Sequence, residues 1–214
     1  MSRNSEKAPV KNYFWYDVAA ATSAIPAMLG FRPKRVYESD KAKQALKRGG
    51  ALVIANHNSF WDPVYLLAGI WFRRQHFVCT KDLAEHNRFT RWAFRQFHCI
   101  LIDRDNFSMN SLRAVSEVLK AGKVVSMFPE GHVNAENSQA LAPFKSGMIL
   151  LAQQGESPIV PVYIKKPKRF YNRLVINVGE PVDIRALYGE RPTLAQIGEA
   201  AKLLQDKEEK LKTL

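Results

Sequence analysis

Two residues whose types could do acid–base chemistry, His57 and Asp62, stand just past the apolar run Ala51-Leu52-Val53-Ile54-Ala55, at the head of the amphipathic run Pro63 to Trp71. An imidazole can take a proton near neutral pH, and a carboxylate that holds one ring nitrogen leaves the other as the base. The five-residue spacing does not share a face of a regular helix, where neighbours lie three or four apart. The two side chains can therefore meet only if His57 lies in a turn ahead of the helix. Pro63 supports a helix start near Asp62, because proline is tolerated in the first turn, where an N–H has no partner to lose. The same residues also suit a structural role: Ser59-Phe60-Trp61-Asp62 fits a capping box, and Asp62 before Pro63 fits a plain N-cap.

The elements that must position this pair follow from hydrophobic pattern. Strands are expected at Ala51 to Ala55, His76 to Thr80, Cys99 to Ile102, Lys123 to Phe128, Pro158 to Ile164 and Arg173 to Val178. Helices are expected at Asp40 to Arg48, Pro63 to Trp71, Asp82 to Phe97, Ser108 to Ala121 and Phe144 to Gln154, with a terminal helix opened by Thr193. Strand and helix in alternation imply an α/β fold: a single domain with a mostly parallel twisted sheet covered by helices on both faces. Such sheets bind ligands at the carboxyl ends of their strands, where His57, Lys81, Arg104, Glu130 and Gly131 all fall. The long polar loop from His132 to Pro143 adds to that edge, and long loops inside a compact domain are usually functional.

Composition narrows the partners. The chain has 214 residues, with Lys+Arg 32 against Asp+Glu 20 and a net charge of +12, so an anionic surface or substrate is expected. Nucleic acid is disfavoured, because no reader motif is present and the aromatic residues cluster in one block instead of alternating with the basic ones. No second histidine stands at ligand spacing from His57, which argues against a metal centre. The two cysteines, Cys79 and Cys99, are too few for a disulfide framework and read as buried free thiols in a reducing cytoplasm.

Two regions are expected. Residues 1–36 form a basic arm and an N-terminal interfacial helical segment, and residues 37–214 form the α/β domain. Tyr13-Phe14-Trp15-Tyr16 suits the interface between headgroups and acyl chains, and Arg32, Lys34 and Arg35 follow where cations would favour an anionic leaflet. An interfacial helix, or a hairpin broken near Pro26, is the expectation. Asp17, Thr22, Ser23 and Pro26 keep Tyr13 to Phe31 short of the ~20 apolar residues a span needs. Arg88, Arg91 and Arg95 make a second basic stripe, opposed by Phe89, Trp92, Ala93 and Phe94.

Asn56-His57 with Asp62 after a buried strand resembles the first motif of the glycerolipid acyltransferases, the lysophosphatidate acyltransferase family. Leu101-Ile102-Asp103-Arg104 is similar to the second motif, Phe128-Pro129-Glu130-Gly131 to the third and Ile159-Val160-Pro161-Val162 to the fourth, in family order. Lys81-Asp82-Leu83 and Phe144-Lys145-Ser146-Gly147 resemble two intervening family segments. The resemblance covers roughly residues 50 to 180. It implies transfer of an acyl group from an acyl thioester, acyl-CoA or acyl carrier protein, to a lysophospholipid such as 1-acylglycerol 3-phosphate, giving phosphatidic acid. That donor is a co-substrate, and no cofactor is expected.

The resemblance also implies roles. His57 is the base and Asp62 its orienter, with backbone N–H groups on the oxyanion. Arg104 and Lys81 meet the acceptor phosphate, Glu130 orients a hydroxyl or a basic neighbour, Gly131 allows close approach, and Pro161 shapes the crevice wall. One departure stands out: the third motif normally continues Glu-Gly-Thr-Arg, and here it reads Glu130-Gly131-His132-Val133. His132 offers a cation there only when protonated, which leaves open a different lysolipid acceptor or a non-catalytic lipid-binding protein. The expected location is the cytoplasmic face of the membrane, peripheral or monotopic.

Overall fold

Five consecutive apolar residues, Ala51–Ala55, form β2, and all five are buried. A strand inside a parallel sheet is covered on both sides, so it shows no polar alternation. Its side chains nonetheless divide. Leu52 and Ile54 join a core with Val115, Leu119, Met148, Ile149 and Leu204, while Ala51, Val53 and Ala55 join one with Tyr16, Leu46, Leu66 and Ile70. The chain is seen in a computed structural model that describes residues 13–84, 87–102, 109–134, 141–167, 169 and 172–214.

In order, the described elements are α1 (Phe14–Phe31), β1 (Lys34–Tyr37), α2 (Asp40–Lys47), β2, α3 (Asp62–Gly69), β3 (Gln75–Thr80), α4 (Lys81–Ala84), α5 (Arg88–Gln96) and β4 (Ile100–Ile102). Then come α6 (Met109–Lys120), β5 (Val124–Met127), α7 (Gly147–Gly155), β6 (Ile159–Lys165), β7 (Val175–Val178), α8 (Ile184–Tyr188) and α9 (Leu194–Lys210). Among the described residues the strands form one seven-stranded sheet in the order β1-β7-β6-β2-β5-β3-β4. Every neighbouring pair is parallel except β6 with β7. The mostly parallel α/β sheet expected from the sequence is therefore present, with helices on both faces. Because β6, β2, β5 and β3 run the same way, the turns after β2, β3 and β5 share one edge.

Expected strand positions hold to within a few residues, the usual uncertainty of element ends. Thr193 opens α9 with a full capping box, reciprocated by Gln196. Three features differ. The expected stretch Asp82 to Phe97 is two helices, α4 and α5, and α8 appears where no helix was expected, its N-terminus capped by Asp183. Lys34 and Arg35 lie in β1, which pairs with β7, so the boundary drawn after residue 36 falls inside a strand. Arg35 turns inward, donating to the Gly69 carbonyl at 3.1 Å and lying over the Phe72 ring.

Within Tyr13 to Phe31, α1 is one helix from Phe14 that continues through Pro26, with Arg32 ending it in the left-handed region at φ 43. Tyr16, Ala24 and Ala27 bury one side of α1, and the Tyr16 hydroxyl accepts the Gln75 backbone N–H at 2.8 Å. Burial pushes the Tyr16 phenol up to about 12. The other side leaves Phe14, Trp15, Val18, Ile25 and Leu29 exposed. No helix among the described residues is long and apolar enough to cross a membrane.

Candidate active site

His57 sits in the turn between β2 and α3, and its Nδ1 lies 3.2 Å from Asp62 Oδ2. Asp62 is the first residue of α3, with Pro63 beside it, so the helix begins where proline allowed it to. The same Oδ2 accepts the Ser59 backbone N–H at 2.7 Å. The carboxylate thus meets the ring and also makes the acid's half of the expected capping box, while the plain N-cap expected of Asp62 is not formed, because Trp61 stands at the N-cap with no side-chain cap hydrogen bond. Asp62 is 1% exposed and His57 16%, so the pair is shielded while the ring still reaches solvent. With Nδ1–H directed at Asp62, Nε2 carries the lone pair, the tautomer a general base needs.

Other residues hold the histidine in place. Its ring stacks on Phe128, with centroids 4.1 Å apart and planes 17° from parallel. Its backbone N–H donates to Glu130 Oε1 at 2.9 Å, and its carbonyl accepts the Asn134 N–H at 2.7 Å. Glu130 Oε2 accepts the Ala142 N–H at 3.0 Å and the Asn134 side-chain amide at 3.4 Å. Both ends of the polar loop after the third motif are therefore tied to this carboxylate. The preceding residue, Asn56, is 1% exposed, and its side-chain amide pairs with the Ile164 backbone, accepting its N–H at 2.7 Å. The turn is thereby fixed from the β5 side and the β6 side.

The other expected site residues divide. Gly131 follows Glu130 with φ 74, a left-handed conformation that favours glycine. Glu130 is 2% exposed, and its oxygens meet N–H groups of its own chain. His132 is exposed, with Nδ1 3.0 Å from the Glu130 carbonyl, and Val133 beside it is exposed and uncharged. Lys81 opens α4 directly after β3, exposed on the same edge. Arg104 lies outside the described residues. Pro161 is buried within β6, where it pairs with Ile54 and its carbonyl accepts the Gly179 N–H. The N–H it lacks would point at Gly179, one residue past the end of β7, so the sheet tolerates it.

Sequence reasoning passed over Asn56, Phe128, Asn134 and Lys145. Phe128 and Lys145 stand in the motif strings with no role of their own, and the Asn134 contact to His57 is through the backbone, which residue type does not signal. Glu208 on α9 was also missed: it is fully buried, with neither oxygen hydrogen-bonded. Burial pushes its carboxyl well above the usual range, reinforced by the negative charges of Glu130 and Glu209 and opposed by Lys212. Among the described residues no group of three His, Cys, Asp or Glu side chains could hold a metal ion.

An open α/β sheet here presents a buried aspartate beside a mostly shielded histidine at the carboxyl edge of a central strand, an arrangement able to do general-base chemistry. The family model described as Acyltransferase matches residues 35–165, and the chain belongs to that family. It is 29% identical over 146 residues to a 1-acyl-sn-glycerol-3-phosphate acyltransferase of Bacillus subtilis, covering 65% of this chain and 71% of that protein. Against the Saccharomyces cerevisiae protein of the same name it is 27% identical over 204 residues, covering 90% of this chain and 63% of that one. The crystal structure of the 1-acyl-sn-glycerophosphate (LPA) acyltransferase PlsC from Thermotoga maritima superposes with a TM-score of 0.63 at 21% identity, covering 92% of this chain and 80% of that chain.

Proposed function

We propose that this chain transfers an acyl group from an acyl thioester, acyl-CoA or acyl-acyl carrier protein, to the free hydroxyl of 1-acylglycerol 3-phosphate. The observation that carries the reading is the His57–Asp62 contact of 3.2 Å at the sheet edge. His57 Nε2 takes the proton of the acceptor hydroxyl as its oxygen attacks the thioester carbonyl, and Asp62 stabilises the imidazolium that forms. The tetrahedral intermediate collapses with loss of the thiolate, which takes up the proton, so ester and free thiol are the products. No acyl-enzyme is required. The names of the relatives support this acceptor. Lys81, and Arg104 by its motif, are the cations proposed to meet the acceptor phosphate.

The exposed side of α1 supports action at a membrane surface. Trp15 is half-exposed and lies 6.1 Å from Trp92 on α5, where Arg88, Arg91 and Arg95 are also exposed. Aromatic rings beside cations suit an anionic leaflet, where each cation contributes about 1 kcal/mol. Val133 favours a second reading, an acceptor with a different headgroup, because it offers no cation in the third motif.

The test is release of free thiol from acyl-coenzyme A and from acyl carrier protein thioesters, with lysophosphatidate and a panel of other lysolipids, by wild type and His57→Ala. Turnover that collapses in the variant supports the transferase and ranks acceptors. Vesicle binding with no turnover of any pair would leave a non-catalytic lipid-binding protein.

A further inference from the structure

Lys145 is held at two points close to the His57 turn, yet among the described residues its charge has no partner. Its backbone N–H donates to the Pro129 carbonyl at 3.0 Å, inside the Phe128–Gly131 turn on which the His57 ring stacks. Its stem lies against Gly131, so a Cβ built on that glycine would fall 2.9 Å from Lys145 Cε and 3.1 Å from Nζ. Gly131 is favoured by its φ of 74, and the end of the lysine side chain lies in the space that a Cβ would fill. The ammonium ends beside the backbone of the residue that follows Glu130. The side chain is exposed, and among the described residues no carboxylate is paired with it. Glu130, the acid of the same turn, is occupied by the His57 and Ala142 N–H groups.

The stem packs on the turn while the ammonium stays in solvent, where an anionic ligand can reach it. The Phe128–Gly131 turn on which His57 packs thus has a cation laid over its glycine, with no partner among the described residues. We propose that Lys145 forms a phosphate subsite of the active centre, with the phosphomonoester of the acceptor or a phosphate of the donor as its ligand. The inference rests on the reading that this chain handles phosphate-bearing substrates, and it adds to Lys81 and Arg104 a cation fixed to the third-motif turn. A phosphate on Lys145 orients its molecule against the base, so the lysine acts in binding and not on the proton.

Lys145→Met keeps the apolar stem over Gly131 and removes the charge, whereas Lys145→Arg keeps the charge. Steady-state kinetics with separate variation of acceptor and donor read the subsite. The expected result for Lys145→Met is a KM raised about tenfold or more for one substrate, with kcat little changed, and recovery of most of that loss in Lys145→Arg. A rise confined to lysophosphatidate assigns the acceptor phosphate. A rise confined to acyl-coenzyme A assigns the donor. Unchanged KM values for both substrates in Lys145→Met, beside an active wild type, overturn the subsite while leaving the acyl-transfer reading intact. If wild type turns over neither pair, calorimetric binding of glycerol 3-phosphate decides. Binding that is lost in Lys145→Met and retained in Lys145→Arg supports the subsite without turnover, and equal or absent binding in all three proteins rejects it.

Discussion

The carboxylate of Glu130 accepts the backbone N–H of His57 at 2.9 Å, joining residues 73 positions apart in sequence. The third-motif acid therefore acts on the first-motif histidine through the backbone.

Glu130→Ala removes the acceptor for the His57 and Ala142 N–H groups, and an unsatisfied buried donor costs about 1–3 kcal/mol. The expected outcome is a fall in kcat larger than any rise in KM, together with a lower Tm, because the variant loosens the base. Circular dichroism melts and acyl-transfer kinetics measure both. A variant that melts early but keeps the wild-type kcat at low temperature would mean that the His57 position does not depend on Glu130.

Asp62 divides its Oδ2 between the Ser59 N–H and His57 Nδ1. Asp62→Asn keeps an acceptor for the Ser59 N–H and so keeps the helix start. It cannot stabilise an imidazolium, and its amide can turn a donor toward the ring and select the wrong tautomer. A loss in kcat on the order of 10²- to 10⁴-fold is expected with the fold intact. Retention of activity within a few-fold would reduce Asp62 to a support of the turn before α3.

Much of this arrangement was legible in sequence because short-range signals carried it. Buried strand Ala51–Ala55, Pro63 and the His57–Asp62 spacing each constrain local backbone, and together they placed the histidine beside the aspartate. What was not legible depends on pairing between distant segments. Lys34 and Arg35 look like a solvated basic cluster until β7 is alongside to make a strand of them. Lys145 looks like one more surface charge until Gly131 is seen to make room for it. Glu208 looks like part of a charged helical tail, and only the packing of α9 takes it out of water.

Glu208 gives a pH dependence whose sign can be worked out. Below the ordinary carboxyl value of 4.5, folded and unfolded chains both carry the proton and the group has no differential effect. Above it the unfolded chain ionises while burial keeps Glu208 protonated in the folded chain, so stability falls as pH rises until Glu208 itself ionises. The slope is up to about 1.4 kcal/mol per pH unit. Glu208→Gln does not ionise, so its stability relative to wild type should climb with pH. Urea midpoints at pH 5 and pH 8 measure the change. A difference between the two proteins that stays constant across that range would place an ionised Glu208 in the folded chain.

Leu29 and Trp15 are 76% and 48% exposed on α1, whose Tyr16, Ala24 and Ala27 are buried. Substitution on the exposed side spares the packing, so Trp15→Ser with Leu29→Ser should leave Tm nearly unchanged. Transfer of apolar side chains from water is worth roughly 25 cal/mol per Å² buried, and losing two large ones should weaken partition to phosphatidylglycerol vesicles at least tenfold. Added salt should weaken wild-type partition as well, because the arginines of α5 share that surface and salt screens exposed charge. Sedimentation with vesicles at low and high salt separates the two contributions. Partition that survives the double substitution but vanishes in salt would assign attachment to the cations alone and remove α1 from the membrane contact.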